Sequence, residues 1–307
     1  MTTEEMLPVE ENLSTPREDE QSFPSEEETS IQPTDLRVPS KHGQLPGGLL
    51  HEGQVLRDIV FSELTGKKRE PLGDPNLTKN FPKLMEHVLC SCVESIGPIT
   101  KITPSVVERI LIGDKDYCTI KIFDISHDPN DPPGVPFNCS QCGKPGDGII
   151  DVSQFEIYDI EDALDSITTV GIGREQRQVR TFVVEVPQYE IRAVFRHGDG
   201  FDERALHRLG FGNPIAAESA LIAMTLVELT YKGKKSKPGL ERKMLDEMPD
   251  GAIKYLHARY FEHACGVELS HQITCFRCGK ETEVTFTAVD FLLRPRRVSR
   301  KSTRRFS

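Results

Sequence analysis

The sequence predicts a mixed α+β fold in one large domain, and three observations lead to this prediction. Residues 81–96 carry apolar side chains at helical spacing, whereas residues 179–196 contain two short apolar runs typical of a β-hairpin. Two short cysteine pairs, Cys139/Cys142 and Cys275/Cys278, stand far apart in the 307-residue chain. If both pairs bind one metal ion, they join an early segment to a late one and close most of the chain into a single domain.

Both cysteine pairs have the form C-x-x-C-G-K, which is typical of a zinc knuckle. The two intervening residues let a turn direct both sulfurs to one point, and the following glycine allows the backbone to curl back. A compact zinc ribbon separates its pairs by about 15–20 residues, far fewer than here. Four thiolates complete a tetrahedral shell around one structural Zn²⁺ per chain and leave no open position for chemistry. The predicted ligands are Cys139, Cys142, Cys275 and Cys278.

Other interpretations of these pairs stay open at the level of sequence. Each pair could be reduced and buried, could belong to a separate metal site, or could form a redox motif, which requires a helix that begins at the first cysteine. The second pair lies between predicted strands at 267–274 and 281–287 and therefore at a hairpin tip, while the turn-forming residues 145–148 follow the first. The remaining cysteines lie in apolar patterns and are expected in the core: Cys90, Cys92, Cys118 and Cys265.

The first half of the predicted domain, which spans residues 46–293, contains strands and helices in alternation. Residues 54–64 predict a strand. A helix begins at Phe81-Pro82 and is stopped by Gly97. A shorter helix runs from Thr103-Pro104 to Ile112, and alternating apolar residues predict a strand over 116–125.

The second half contains a hairpin and two longer helices. Residues 179–186 and 189–196 predict paired strands joined at Pro187-Gln188. Residues 214–231 are apolar on almost all sides, so we expect them to form the central buried helix. An exposed basic loop at 232–239 and a last helix at 249–265 lead into the second cysteine pair.

Charge is distributed unevenly along the chain, whose formal net charge is −10. Residues 1–40 hold eleven acidic and two basic residues, a net of −9, with little apolar content and several prolines. This composition predicts disorder over residues 1–45. Residues 294–307 carry seven basic and no acidic residues. That basic tail either binds nucleic acid or an acidic neighbour, or is solvated without a specific partner.

The sequence contains no recognisable catalytic constellation. Nine histidines are scattered, and neither a Walker loop nor a G-x-S-x-G elbow occurs. Eight cysteines without a signal sequence or an apolar run near 18 residues indicate a soluble protein of a reducing compartment. We interpret one polar cluster as a turn and not as a second metal site: His197, Asp199 and Asp202. Three histidines near the second pair could replace a cysteine, although four cysteines suffice: His257, His263 and His271.

Three passages of the sequence resemble one known family. They are V-F-S-E-L-T-G-K-K-R-E at 60–70, L-I-G-D-K-D-Y at 111–117, and residues 256–293, which combine a helix, a cysteine-pair hairpin and an aromatic end. In order and spacing they are similar to the T4-type phage baseplate family of hub and hub-assembly proteins, which also occurs in phage-like contractile injection systems. The chain departs from that pattern with Lys115, where arginine is usual.

The resemblance implies a non-enzymatic structural or assembly component of a contractile-tail baseplate, located in the virion and, during assembly, in the host cytoplasm. Its implied partners are other baseplate hub or wedge proteins, and we expect no small-molecule substrate and no membrane insertion. The alternative is a zinc-ribbon nucleic-acid-binding or regulatory protein, which the basic tail and both knuckles favour. The acidic residues 1–40 oppose that alternative, so specific nucleic-acid binding is not expected.

Overall fold

The computed structural model confirms the mixed α+β class. It describes residues 40–127, 134–150, 152–172, 175–210, 214–237, 240–275 and 277–293. The first strand begins at His42 and Leu45 is fully buried, so ordered structure starts before the predicted tail boundary at residue 45. The rest of the predicted acidic tail, residues 1–39, and the predicted basic tail, residues 294–307, lie outside the described residues.

The first part of the fold is a three-stranded antiparallel sheet with short helices. Its strands are β1 (His42–His51), β2 (Gln54–Phe61) and β3 (Val93–Ile96), in the order β1-β2-β3. The helices are α1 (Gly66–Arg69), α2 (Pro75–Thr78), α3 (Phe81–Cys92) and α4 (Pro104–Val107). The side chain of Asn80 accepts the Lys83 N–H at 3.2 Å and caps α3, whose apolar stripe packs on the sheet.

Two helix ends in this part differ from the predictions. The helix predicted over 81–96 ends at Cys92, and the next four residues form β3, because Ile96 pairs with Ile59 of β2. Val93 and Ile96 are β-branched and favour a strand once a neighbouring strand is present. The shorter helix predicted to reach Ile112 ends at Val107.

Helix α5 (Ile112–Ser126) is the central helix of the fold, so the strand predicted over 116–125 is wrong. Nine of its fifteen residues are buried, because β1, α3 and segments near the C-terminus surround it. A helix that is buried on most sides shows no polar stripe, which removes the helical period from its sequence. The remaining alternation of Cys118, Ile120 and Ile122 imitates a strand.

A first cysteine hairpin follows α5. It consists of β4 (Gly134–Asn138) and β5 (Pro145–Ile149), which pair in an antiparallel manner. The residues predicted as a turn after the first cysteine pair, 145–148, are therefore a strand. A two-residue strand, β6 (Ile157–Tyr158), comes next.

A five-stranded antiparallel sheet forms the second large part of the fold, in the order β11-β10-β9-β8-β7. The strands are β7 (Ser166–Ile172), β8 (Glu175–Val186), β9 (Ile191–Arg196), β10 (Leu226–Tyr231) and β11 (Lys234–Lys235). Its helices are α6 (Gly200–Leu209), α7 (Pro214–Thr225), α8 (Glu241–Asp246) and α9 (Asp250–Glu262). Phe182, Phe195 and Leu229 from the strands form a core with Leu256 and Tyr260 of α9.

This part confirms the predicted hairpin and corrects the predicted central helix. β8 and β9 pair across a short 3-10 turn, Pro187–Tyr189. The helix predicted over 214–231 stops at Thr225, where the Thr225 hydroxyl donates to the Leu221 carbonyl at 2.9 Å, and Leu226–Tyr231 is the strand β10. α7 is not the central helix. Glu218 and Ser219 are exposed, and the helix contacts β9 and the neighbouring helices α6, α8 and α9.

The last part contains the second cysteine hairpin. Its elements are β12 (Gly266–Val267), β13 (Ser270–Thr274), β14 (Glu281–Thr285) and α10 (Ala288–Leu293). β12 pairs with β6, and β13 pairs with β14, as predicted. The helix predicted over 249–265 is α9, which ends at Glu262.

Candidate metal centre

The two cysteine pairs lie at the tips of two hairpins with the same backbone geometry. The last paired residues are Asn138–Pro145 in the first hairpin and Thr274–Glu281 in the second, which leaves a C-x-x-C-G-K tip in each. The backbone carbonyl of the first cysteine in each tip accepts a hydrogen bond from the glycine N–H, at 2.9 Å from Gly143 and 2.8 Å from Gly279. The shared C-x-x-C-G-K pattern therefore gives the same glycine-to-cysteine hydrogen bond in both tips.

The glycine in each tip is required by the backbone and not by lack of space. Gly143 and Gly279 have φ angles of +64° and +67°, in the left-handed region, and a Cβ at either position would meet no atom within 4 Å. Other residues adopt this conformation at a cost of about 1–2 kcal/mol. The left-handed residue turns the chain back into the hairpin after the second cysteine.

The four cysteine sulfurs converge on one point. They all lie within 4.8 Å of one another, and the structure brings together the complete predicted set, Cys139, Cys142, Cys275 and Cys278. The Sγ atoms of Cys139 and Cys278 are 3.7 Å apart, and those of Cys142 and Cys275 are 3.9 Å apart. A tetrahedral shell with metal–sulfur bonds of about 2.3 Å places its sulfurs about 3.8 Å apart. The four thiols could therefore hold one metal ion.

The metal centre is buried on one side and open on the other. Cys139 and Cys275, the first cysteine of each tip, are 1 % and 0 % exposed, whereas Cys142 is half-buried and Cys278 is exposed. The hydroxyl of Thr282, on β14, lies 3.5 Å from the sulfur of Cys139. Its hydrogen bond lowers the pKa of Cys139 to about 6, which favours a thiolate at that position. Thr282 thus supports the opposite hairpin, a role that the sequence analysis missed.

Both hairpins rest on an aromatic cluster that joins them to the central helix. Phe291 of α10 makes edge contacts with Phe123 of α5, Phe155 and Phe286, at centroid distances of 5.2, 5.9 and 5.8 Å. Cys139 and Cys275 belong to the same buried cluster. The aromatic cluster therefore holds the buried side of both tips, and a metal ion would join the tips to each other at their sulfurs.

The alternatives for the cysteines can be compared with this geometry. Neither Cys139 nor Cys275 begins a helix, so the arrangement lacks the helix that a redox C-x-x-C motif requires. The other cysteines lie away from the cluster, with Cys92 and Cys118 fully buried and Cys90 and Cys265 half-buried. Burial raises the pKa of Cys90 and of Cys92 to about 11, which keeps both as neutral thiols.

The remaining candidate ligands have other contacts. His271 packs edge-on against Phe155 and His263 packs against Phe182, and among the described residues no histidine joins the four-cysteine group. Asp199 is the N-cap of α6, and Asp202 binds Arg196 through two bonds of 2.6 Å. This cluster is buried, which the sequence did not indicate.

A group of charged residues with a buried centre and an exposed rim, which we call the salt-bridge junction, was missed by the sequence analysis. Arg180 of β8 binds Asp165 at 2.8 Å and Asp162 at 2.5 Å. Arg57 of β2 also binds Asp162, at 2.8 Å, and His197 binds Asp165 at 2.9 Å. A signal was present, because Arg180 lies on the same strand face as the buried Phe182 and Val184.

The passage L-I-G-D-K-D-Y begins the central helix, where its polar residues are used inside the protein. A Cβ on Gly113 would lie 1.8 Å from the Cys265 carbonyl oxygen, so only glycine fits there. The N–H of Gly47 donates to Asp114 at 2.6 Å, and Lys115 pairs with Glu203 at 2.5 Å. The passage thus joins α5 to β1, to α6 and to the segment before β12.

Comparison with known proteins adds no relative, since no protein-family model, no curated protein and no solved structure matches this chain. Among the described residues, no helix has both the length and the apolar character needed to cross a membrane.

Proposed function

We propose that this protein is a non-enzymatic structural or assembly component whose fold is tied by one Zn²⁺ ion on four cysteine thiolates, and that it works in the baseplate of a contractile tail. The metal and the assembly role rest on different observations.

The zinc assignment is carried by the convergence of four sulfurs from two hairpin tips. Four thiolates at tetrahedral spacing are typical of Zn²⁺ or of an iron–sulfur site, and C-x-x-C-G-K knuckles are typical of structural zinc. A shell of four thiolates has no open position for a substrate or a water molecule. Chemistry at the metal is therefore not part of this proposal.

The baseplate assignment is supported by the resemblance of three passages, at 60–70, 111–117 and 256–293. The second and third passages meet in the fold, because Gly113 packs against Cys265 and α10 packs against α5. Their polar residues are used in internal contacts such as Lys115–Glu203. Residues used in this way favour an architectural role over catalysis.

Metal analysis tests the zinc assignment. Full-length protein purified without added zinc should contain about one equivalent of zinc, the capacity of one four-thiolate shell. Cys275→Ser should lose the metal, whereas Cys90→Ser, a matched change at a half-buried cysteine outside the centre, should retain it. Two equivalents of zinc, iron in place of zinc, or four free thiols in an intact fold would each refute a shared zinc site.

Recovery of partners tests the baseplate assignment. Tagged full-length protein, isolated from producing cells, should recover baseplate hub or wedge subunits, and mass spectrometry of purified particles shows whether it stays in the finished tail. Any DNA binding through the basic tail should be non-specific and steeply lost with salt. Sequence-specific DNA binding at physiological salt without any tail protein would favour the zinc-ribbon regulator instead.

A further inference from the structure

The two edges of the five-stranded sheet differ in their protection against pairing with another strand. At one edge, β11 has two residues, both lysines, and Lys235 forms an ion pair with Glu228 at 2.6 Å. Short length and lysine side chains are two of the devices by which proteins block edge-to-edge association. Both devices disfavour a partner strand at β11.

The opposite edge, β7, has none of these devices. Its seven residues, S-I-T-T-V-G-I, include no charge and no proline, and its β-branched residues favour strands. β7 pairs with β8 on its inner side, and no other strand within the described ranges pairs with its outer side. Ser166, Ile167, Thr168, Thr169 and Gly171 are all exposed. Its unpaired backbone groups form a template for a further strand.

Two apolar residues and one glycine at this edge lack an explanation within a single chain. Ile167 is 47 % exposed, and Leu164, just before the strand, is 53 % exposed. A Cβ on Gly171 would meet the amide end of Gln176 at 3.5 Å, an ordinary contact, so the fold of one chain does not require glycine there. Glycine inside a strand often marks the close approach of another backbone.

We infer that β7 pairs with β7 of a second copy of this chain, in an antiparallel manner, and extends the sheet across a twofold axis. An uncharged strand meets its own copy without repulsion, and a symmetric pair centred on Thr169 places threonine opposite threonine, a favourable cross-strand pair. In that register Ile167 lies beside the partner's Gly171, which has no side chain to oppose it. The inference depends on neither the metal nor the baseplate assignment.

Sedimentation of the full-length protein between about 1 and 100 μM gives the first test. We expect a reversible species of twice the 34.5 kDa chain mass. Thr169→Lys places two ammonium groups about 5 Å apart at the axis and should weaken the dimer at least about tenfold. The matched Gln178→Lys puts the same charge one strand inward, where the two copies lie about 14 Å apart, and should change the dissociation constant less than about twofold.

Thermal unfolding of both lysine variants at low concentration should match that of the unaltered protein, which separates loss of pairing from loss of folding. Thr169→Cys should also form a disulfide-linked dimer under mild oxidation, identified by peptide mapping, because opposite Cα atoms in such a pair are about 4.5–5.5 Å apart. A monomer at 100 μM, or a dimer that tolerates Thr169→Lys, overturns the inference.

Discussion

The metal centre and the salt-bridge junction both join segments that are far apart in the sequence, but they do so with opposite requirements. The candidate metal centre brings together cysteines 133 and 139 positions apart, which a bound ion would join, and Cys278 is exposed. The junction joins Arg57 to Asp162, 105 positions apart, through charges that the chain itself supplies. Arg180 and Asp165 at its centre are 3 % and 6 % exposed.

This difference shows where each tie draws its stability. The proposed zinc would contribute folding free energy directly, because the unfolded chain has no formed site, and this contribution would disappear on removal of the metal. A buried ion pair must first offset the desolvation of both charges, so its net contribution is small while its disruption is costly. The first tie would depend on the supply of metal, whereas the second needs only groups of the chain itself.

Loss of one thiolate should have the largest effect. Zinc binding by structural sites reaches about 10 kcal/mol or more in isolated peptides, so Cys275→Ser should remove cooperative unfolding of the region around both hairpins. Limited proteolysis should then cut near both cysteine pairs, with Cys90→Ser as the control that remains resistant. Cleavage confined to residues after Val267 would show that the metal stabilises only its own hairpin.

Loss of the central arginine of the junction should come second. Arg180→Met leaves Asp165 buried, with His197 2.9 Å away, and should lower the unfolding free energy by about 3–5 kcal/mol. Arg192→Met, which removes ion pairs of a half-exposed arginine with Glu185 and Glu228, should cost about 0–1 kcal/mol. Denaturant titration measures both, and zinc content should stay unchanged. Equal losses of unfolding free energy in the two variants would show that the junction stabilises the fold no more than an exposed ion pair does.

A buried carboxyl beside the junction should give the protein a pH dependence. Burial raises the pKa of Asp114 to about 7, whereas an unfolded chain has about 3.9. The folded state therefore binds the proton more tightly, so raising the pH from 4 to 7 removes stability, at most about 1.4 kcal/mol per pH unit, and the loss is complete above pH 7.

Asp114→Asn should flatten this part of the stability profile, measured by denaturant titration at several pH values. Asp58→Asn changes an exposed aspartate and should leave the profile as it is. Burial also raises the pKa of Asp116 to about 7, so the slope should fall and not vanish. A slope unaffected by Asp114→Asn would contradict this assignment.

The knuckle glycine should have the smallest effect. Gly143→Ala forces an alanine into a φ near +64° and should cost about 1–2 kcal/mol, with weaker zinc retention against a chelator. Gly73→Ala is the matched change at a glycine whose φ is not positive and whose Cβ has open space, and it should not destabilise. If both alanines behave alike, the left-handed turn does not set the sulfur geometry.

The sequence predicted which four cysteines come together because each half of the group is a local motif. A C-x-x-C-G-K hexamer contains its own turn and so places its two sulfurs, whereas the approach of the two hairpins depends on the aromatic cluster beneath them. The strands on both sides of the second cysteine pair were also predicted, because apolar residues alternate there.

The central helix and the junction were missed because both depend on segments far away in the sequence. α5 is buried by β1 and α10, which erases the polar face that marks most helices, and so its residues 118–122 imitate a strand. Arg180 shares a face of β8 with Phe182 and Val184, which indicates burial, but the sequence does not show that Asp165 and Gly47 lie around it. Local patterns carry no information about such neighbours.

The distance between the cysteine pairs along the chain determines when, during synthesis, all four cysteines become available. The ribosome makes Cys142 133 residues before Cys275, an interval of about 7–27 s at the usual rates of elongation. The strands of the five-stranded sheet lie entirely between the two pairs, so they can emerge and pair while the first hairpin still has only two sulfurs. A four-sulfur shell cannot close before residue 278 has left the ribosome. Its closure therefore comes after all residues of the five-stranded sheet have been synthesised.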